Sequence, residues 1–164
     1  MLVWFLLTRN FSKLSDQKII DTFGSIYLEL RQDSKIALMY HVFYMLRRLL
    51  FSFLIFVLES YPYLQIFLLS LHCIPLILYT ILCKPFMQPS MNCLEIFNEL
   101  SILFSSYHLF AFTPLVDSPS VQYLLGWSLI GVISFNITVN MLFVTYSTYC
   151  SLKVGLKRLL FRYR

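Results

Sequence analysis

Residues 63–82 read YLQIFLLSLHCIPLILYTIL and contain no charged side chain. At about 1.5 Å per residue, a helix of this length reaches about 30 Å, which matches the hydrocarbon thickness of a bilayer. Residues 123–146 form a second uncharged stretch, long enough to cross a bilayer with some tilt. These two stretches predict membrane-spanning helices.

The composition of the whole chain supports the same interpretation. Hydrophobic residues make up 59% and charged residues 13% of the 164 residues. Ordinary globular chains have roughly 45–50% apolar and about 25% charged residues. A soluble fold of this size needs more polar surface than this sequence supplies. The composition therefore argues against a secreted disulfide module, a disordered tail and a nucleic-acid-binding domain, and predicts an integral membrane protein of the all-α class.

Two further spans are less uniform in composition. In the first, Asn92 is followed three residues later by Glu95, which resembles a capping box and predicts a helix over residues 92–115. The other span, at about residues 40–59, is interrupted by two adjacent arginines. Either these arginines extend along the helix to the membrane surface, or they lie inside the bundle against acidic partners.

The predicted organisation is a helical membrane bundle with flanking segments. An apolar stump or interfacial anchor (1–7) precedes a cytoplasmic linker (8–39), a four-span module (40–149) and a basic cytoplasmic tail (150–164). The four spans are predicted at about 40–59, 63–82, 92–115 and 123–146. Within the linker, helical spacing puts four apolar residues on one face, which predicts an amphipathic helix lying on the inner leaflet. These residues are Phe23, Ile26, Tyr27 and Leu30.

The distribution of charge predicts the orientation of these spans. If the paired arginines are cytoplasmic and each span reverses direction, all 13 Lys and Arg residues fall on the cytoplasmic side. The two outer loops then carry only Glu59 and Asp117. This is the positive-inside pattern, and it predicts a multi-pass membrane protein whose C-terminus is cytoplasmic.

Charged residues form the first candidate functional site. Arg47 and Arg48 belong to one predicted span, and Glu95 and Glu99 share a face at the start of another. Charges near hydrocarbon need partners, so we expect an ion-pair cluster at the inner boundary of the membrane. The cluster is either a gate whose pairs differ between two states or a static clamp between two helices.

Amides in the last predicted span form the second candidate site. Asn136 and Asn140 share a face, and Thr138 lies beside it, which predicts an intramembrane polar face. Two amides in a membrane helix need hydrogen-bond partners. They serve either to line a water-filled path or to bond a neighbouring helix.

Nothing in the sequence favours an enzyme. No catalytic triad and no glycine-rich phosphate loop stands out, and the four cysteines form no CxxC pair. We therefore expect no catalytic residues, no metal site and no cofactor. The expected partners are the lipid bilayer and other membrane subunits or further copies of the chain, and not nucleic acid.

Four short motifs occur in a characteristic order. They read FGSIYLEL (23–30), MLRRLLF (45–51), KPF (84–86) and NCLEIFNE (92–99). In this order they resemble the C-terminal membrane region of large protozoan multi-pass proteins described as transient-receptor-potential-like, and the resemblance covers about residues 23–158. It implies part of a cation-channel-like or sensory membrane protein, normally preceded by a large extracellular region and further spans. The alternative function is a non-conducting structural or accessory subunit of a membrane complex.

Overall fold

The computed structural model describes Tyr27 and residues 29–114 and 116–162. These residues fold into helices only, apart from a single isolated bridge between Leu30 and Phe86. The helices are α1 (Lys35–Leu38), α2 (Tyr40–Val57), α3 (Pro62–Cys83), α4 (Pro89–Leu109) with a 3-10 turn (Phe110–Phe112), and α5 (Pro119–Arg162). The all-α class is confirmed. The predicted segment 1–7 and most of the predicted amphipathic helix lie outside the described residues.

Three stretches of this fold are long and apolar enough to cross a membrane, among the residues that the structure describes. They are Lys35–Val57, Pro62–Cys83 and Pro119–Lys157. The predicted fourth span corresponds to α4, which has 21 residues but is not among the three. The reason is its composition, because α4 carries two asparagines and two glutamates in its first half.

The start of α4 differs from the sequence prediction. The helix begins at Pro89, three residues before Asn92, and proline suits the first helical position because its missing N–H would have no partner there. The side chain of Asn92 does not cap the helix. Its Oδ1 accepts a hydrogen bond from the Phe86 N–H (3.0 Å), and its Nδ2 donates to the Phe86 carbonyl (2.9 Å). Asn92 therefore fastens the loop between α3 and α4.

The last helix also differs from the prediction. The expected span 123–146 and the expected tail 150–164 belong largely to one helix of 44 residues. At 1.5 Å per residue α5 is about 66 Å long, roughly twice the hydrocarbon thickness of a bilayer. The basic segment is mostly leucine, lysine and arginine, which are good helix formers, so only Gly155 weakens the helix there.

The segment before α1 packs on the loop between α3 and α4. The Arg31 N–H donates to the Pro85 carbonyl (2.8 Å), and the Met87 N–H donates to the Glu29 carbonyl (3.1 Å). Tyr27 and Leu30 are fully buried against protein. The sequence predicted these two side chains on a lipid-facing helix surface, and the structure differs because Leu30 forms an isolated bridge with Phe86 in the loop between α3 and α4.

Packing arranges the helices as successive antiparallel hairpins. α4 lies between α3 and α5, and it runs parallel to α2, which it contacts through side chains. The exterior is largely apolar, and no residue in the most apolar window of α5 is buried. The buried residues in the described part of the chain are mixed, since ten are hydrophobic and seven are polar or charged. The polar and charged ones are Ser70, Thr80, Asn92, Glu99, Ser106, His108 and Thr113.

Candidate functional site

The site lies along α4, where polar side chains meet those of α2 on one side and those of α5 on the other. We call it the polar seam. Its charged side comprises Tyr40, Arg47, Glu95 and Glu99, and its amide side comprises Asn98, Asn136 and Asn140. The two sides share α4, because positions 98 and 99 are adjacent and point about 100° apart around a helix.

The strongest contact of the charged side is an ion pair. Arg47 Nη1 donates to Glu99 Oε1, and the two side chains are only 13% and 3% exposed. Glu99 lies ten residues after the first residue of α4, which is about 15 Å along the helix axis. Arg47 lies seven residues after Tyr40, the start of α2. The pair therefore lies about three turns into α4 and about two turns into α2.

The second oxygen of Glu99 has no hydrogen-bond partner. Oε2 is buried and is the sole such side-chain atom in the part of the chain that the structure describes. Leaving a buried polar group unpaired costs roughly 1–3 kcal/mol, and more when the group is charged. Glu99 thus holds Arg47 with one oxygen, while its other oxygen is buried without a partner.

Glu95 contacts a different residue of α2. Tyr40 is buried, and its hydroxyl donates to Glu95 Oε1. The Tyr40 ring also packs edge-on against Phe86, with ring centroids 4.9 Å apart. This contact fixes the first turn of α2 against α4, about two turns before the ion pair.

Arg48 is separated from the other predicted members of the cluster. Its side chain is exposed, and Nη2 donates to the hydroxyl of Tyr44 on the same helix. The guanidinium carbon lies 4.6 Å from the centroid of the Tyr44 ring. The structure therefore brings Arg47 and Glu99 together, gives Glu95 to Tyr40, and leaves Arg48 on the flank of α2.

The amide side is a closed hydrogen-bond network. Asn98 Oδ1 accepts from Asn136 Nδ2 (2.9 Å) and from Asn140 Nδ2 (2.7 Å). Asn98 Nδ2 donates in turn to Asn140 Oδ1 (3.2 Å). The predicted residue Thr138 does not take part. It is exposed, and its hydroxyl donates to the Ser134 carbonyl of its own helix (2.8 Å).

Three contacts between helices involve residues that were not identified from the sequence. Tyr40 gave no signal, because a tyrosine near a helix start is ordinary. Asn98 did give a signal, because it lies at helical spacing from three other polar residues of α4, namely Asn92, Glu95 and Glu99. His108 and Ser128 form the third contact. His108 Nδ1 lies 2.9 Å from the Phe104 carbonyl, so it donates, and Nε2 accepts from the Ser128 hydroxyl at 3.0 Å.

The described residues contain no group of three or more His, Cys, Asp or Glu side chains that could hold a metal ion. The four cysteines are free thiols. Chemically, the seam offers one buried carboxylate oxygen, a fixed guanidinium and a set of mutually bonded amides. No protein-family model, no curated protein and no solved structure matches this chain.

Proposed function

We propose that this chain is a multi-pass membrane module of the transient-receptor-potential-like type, in which α4 supplies polar groups to a cation pathway when the module assembles. The observation that carries the proposal is the buried Glu99, which pairs with Arg47 and retains an unpartnered oxygen. Ionisable residues within membrane helices are rare, face the protein interior and mark ion or proton pathways.

The proposal includes a specific membrane arrangement. α2, α3, α4 and α5 each cross the bilayer, and the loop between α4 and α5 is on the outside. α4 is the least apolar crossing helix, and its position between α3 and α5 supports this, because its neighbours shield part of its surface from lipid. The C-terminal end of α5, with its lysines and arginines, is cytoplasmic according to the positive-inside rule.

Cation flux from reconstituted vesicles tests the pathway. We expect the assembled chain to release potassium, and Glu99→Gln to lower the flux by roughly tenfold because a charged ligand is lost. Glu59→Gln, which alters an exposed carboxylate beyond the end of α2, is the matched control and leaves the flux unchanged. Absence of flux from a folded oligomer would overturn the proposal.

A second variant distinguishes a loss of flux from a loss of folding. Glu99→Gln leaves Arg47 without its partner, so the double variant Arg47→Gln with Glu99→Gln removes both charges together. Circular dichroism reports whether either variant keeps its helices. A folded double variant with unchanged flux contradicts a role for Glu99 in conduction.

The second candidate function is a non-conducting structural or accessory subunit. The amide side favours it, because Asn98, Asn136 and Asn140 bond one another and offer little to a passing ion. Under this alternative, the seam is a static tie between α2, α4 and α5. A folded, membrane-inserted chain that assembles with other subunits but never passes cations supports it.

A further inference from the structure

Arg48 lies near the middle of an apolar helix and faces away from the bundle. In the apolar stretch Lys35–Val57 it is 13 residues from one end and 9 from the other, about 20 Å and about 14 Å along the axis. Its side chain is exposed, in contrast to that of Arg47 one position earlier.

No carboxylate neutralises Arg48 among the described residues. The ion pairs there are Arg31 with Asp33 and Arg47 with Glu99. The contacts of Arg48 are with the uncharged ring and hydroxyl of Tyr44. Arginine also stays protonated under all conditions of interest, so it cannot escape the cost of hydrocarbon by losing its charge.

The Arg48 side chain cannot avoid the cost of hydrocarbon by extending to the membrane surface. The side chain already extends one turn back towards the start of α2, where it meets Tyr44. Tyr44 is still nine residues from Lys35, about 14 Å along the axis. The ten residues after Arg48, 49–58, are too few to cross alone, so α2 cannot shift to place Arg48 at a lipid phosphate and still span.

The surface beside Arg48 is suited to another helix. Met45, Leu49, Ser52 and Phe56 share this flank of α2 at helical spacing, and Leu49 and Phe56 are 69% and 81% exposed. The Ser52 hydroxyl is satisfied by the Arg48 carbonyl at 3.0 Å, so this face presents apolar groups around one cation.

We infer that this flank of α2 binds a membrane-spanning helix of another protein, and that this helix carries an aspartate or glutamate at the depth of Arg48. The inference rests on the proposed membrane function. A second copy of the chain is a poor match, because the two carboxylates in its described helices, Glu95 and Glu99, are already bonded to α2. Within the described helices no carboxylate is left that is not already bonded to α2, so charge complementarity favours a carboxylate from a different protein.

Energy transfer to synthetic membrane helices tests this assignment. The full chain, carrying a donor dye, is placed in phosphatidylcholine vesicles with acceptor-labelled leucine-rich helices. Three helices are compared, with Glu, Gln or Lys at their centre. We expect the Glu helix to associate about tenfold more tightly than the Gln helix, and the Lys helix to stay apart. Arg48→Leu removes the preference, and the matched control Lys157→Leu, in the basic part of α5, keeps it.

Two outcomes overturn the inference. In the first, the Glu and Gln helices associate equally, or Arg48→Leu retains the preference. In the second, added phosphatidylglycerol abolishes the preference for the Glu helix, which would assign Arg48 to lipid phosphate. Retention of the chain in vesicles after an alkaline wash is measured first. Loss from the vesicles contradicts the membrane proposal itself, whereas retention without a preference contradicts only the assignment of Arg48.

Discussion

The two sides of α4 use polar groups in opposite ways. On the charged side, the ion pair of Arg47 with Glu99 and the hydrogen bond from Tyr40 to Glu95 join α2 to α4, and one oxygen of Glu99 is left without a partner. On the amide side, three neutral asparagines bond one another. A neutral network costs little when one member is removed, whereas a buried charge that loses its partner is costly. We therefore expect substitutions on the charged side to lower the free energy of unfolding more than substitutions on the amide side.

Removal of the guanidinium should have the largest effect. Arg47→Leu leaves Glu99 buried without a counter-charge, and we expect a loss of about 3–5 kcal/mol in the free energy of unfolding. Thermal unfolding in detergent measures this loss. Arg48→Leu is the matched control, since Arg48 contributes no tie to α4, and it should change stability little. Equal effects of the two substitutions would mean that Arg47 does not stabilise the bundle.

A double substitution sharpens the comparison. Arg47→Leu combined with Glu99→Leu removes both charges, and we expect most of the lost stability to return, because a well-packed apolar pair can replace a buried ion pair. The comparison is repeated with Glu95→Leu in place of Glu99→Leu. The stability losses of Arg47→Leu and Glu95→Leu should then add in the double variant, because Glu95 bonds Tyr40 and not Arg47. Stronger coupling of Arg47 to Glu95 than to Glu99 would contradict the pairing.

The amide side should respond less. Asn98→Leu removes the central member of the network, and interhelical hydrogen bonds in membranes average about 0.6 kcal/mol in double-mutant cycles. We expect coupling energies of about this size between Asn98 and each partner on α5. Thr138→Val is the control, because Thr138 bonds its own helix. A loss from Asn98→Leu as large as that from Arg47→Leu would remove the distinction between the two sides.

The smallest effect concerns an exposed pair outside the helices. The hydrogen bond from Arg31 lowers the pKa of Asp33 below its ordinary value. A carboxyl group with a lowered pKa adds stability above its unfolded pKa, and this is lost as the pH falls through the folded pKa. Because Asp33 is solvent-exposed, we expect Asp33→Asn to lower the unfolding temperature only slightly at neutral pH and to remove a correspondingly slight acid dependence. A clear loss at neutral pH would contradict this.

The sequence predicted the helical class and the residues of the ion pair, because charge and hydropathy depend only on composition along the chain. It did not predict which arginine meets which glutamate. Adjacent positions such as Arg47 and Arg48 point about 100° apart, so the packing of α2 against α4 decides the pairing. The start of α4 was predicted wrongly for a related reason, since the helix begins at Pro89 and Asn92 bonds the preceding loop.

Only part of the amide side could be predicted from the sequence. Asn136 and Asn140 share a helical face, so the need for a partner was evident from α5 alone. Their partner Asn98 depends on how α4 and α5 align after the turn between them, which is a tertiary property. The length of α5 was hidden because the basic segment after residue 150 was interpreted by its charge, although its residues favour a helix.

We propose that α4 crosses the membrane and holds the Arg47–Glu99 pair inside it. Labelling with an impermeant thiol reagent tests this most directly. Single cysteines are placed at Ser90 in the first turn of α4 and at Ser118 beyond its end, in a cysteine-free chain in sealed vesicles. We expect the two positions to react from opposite sides of the membrane. Reaction of both from the same side would contradict it.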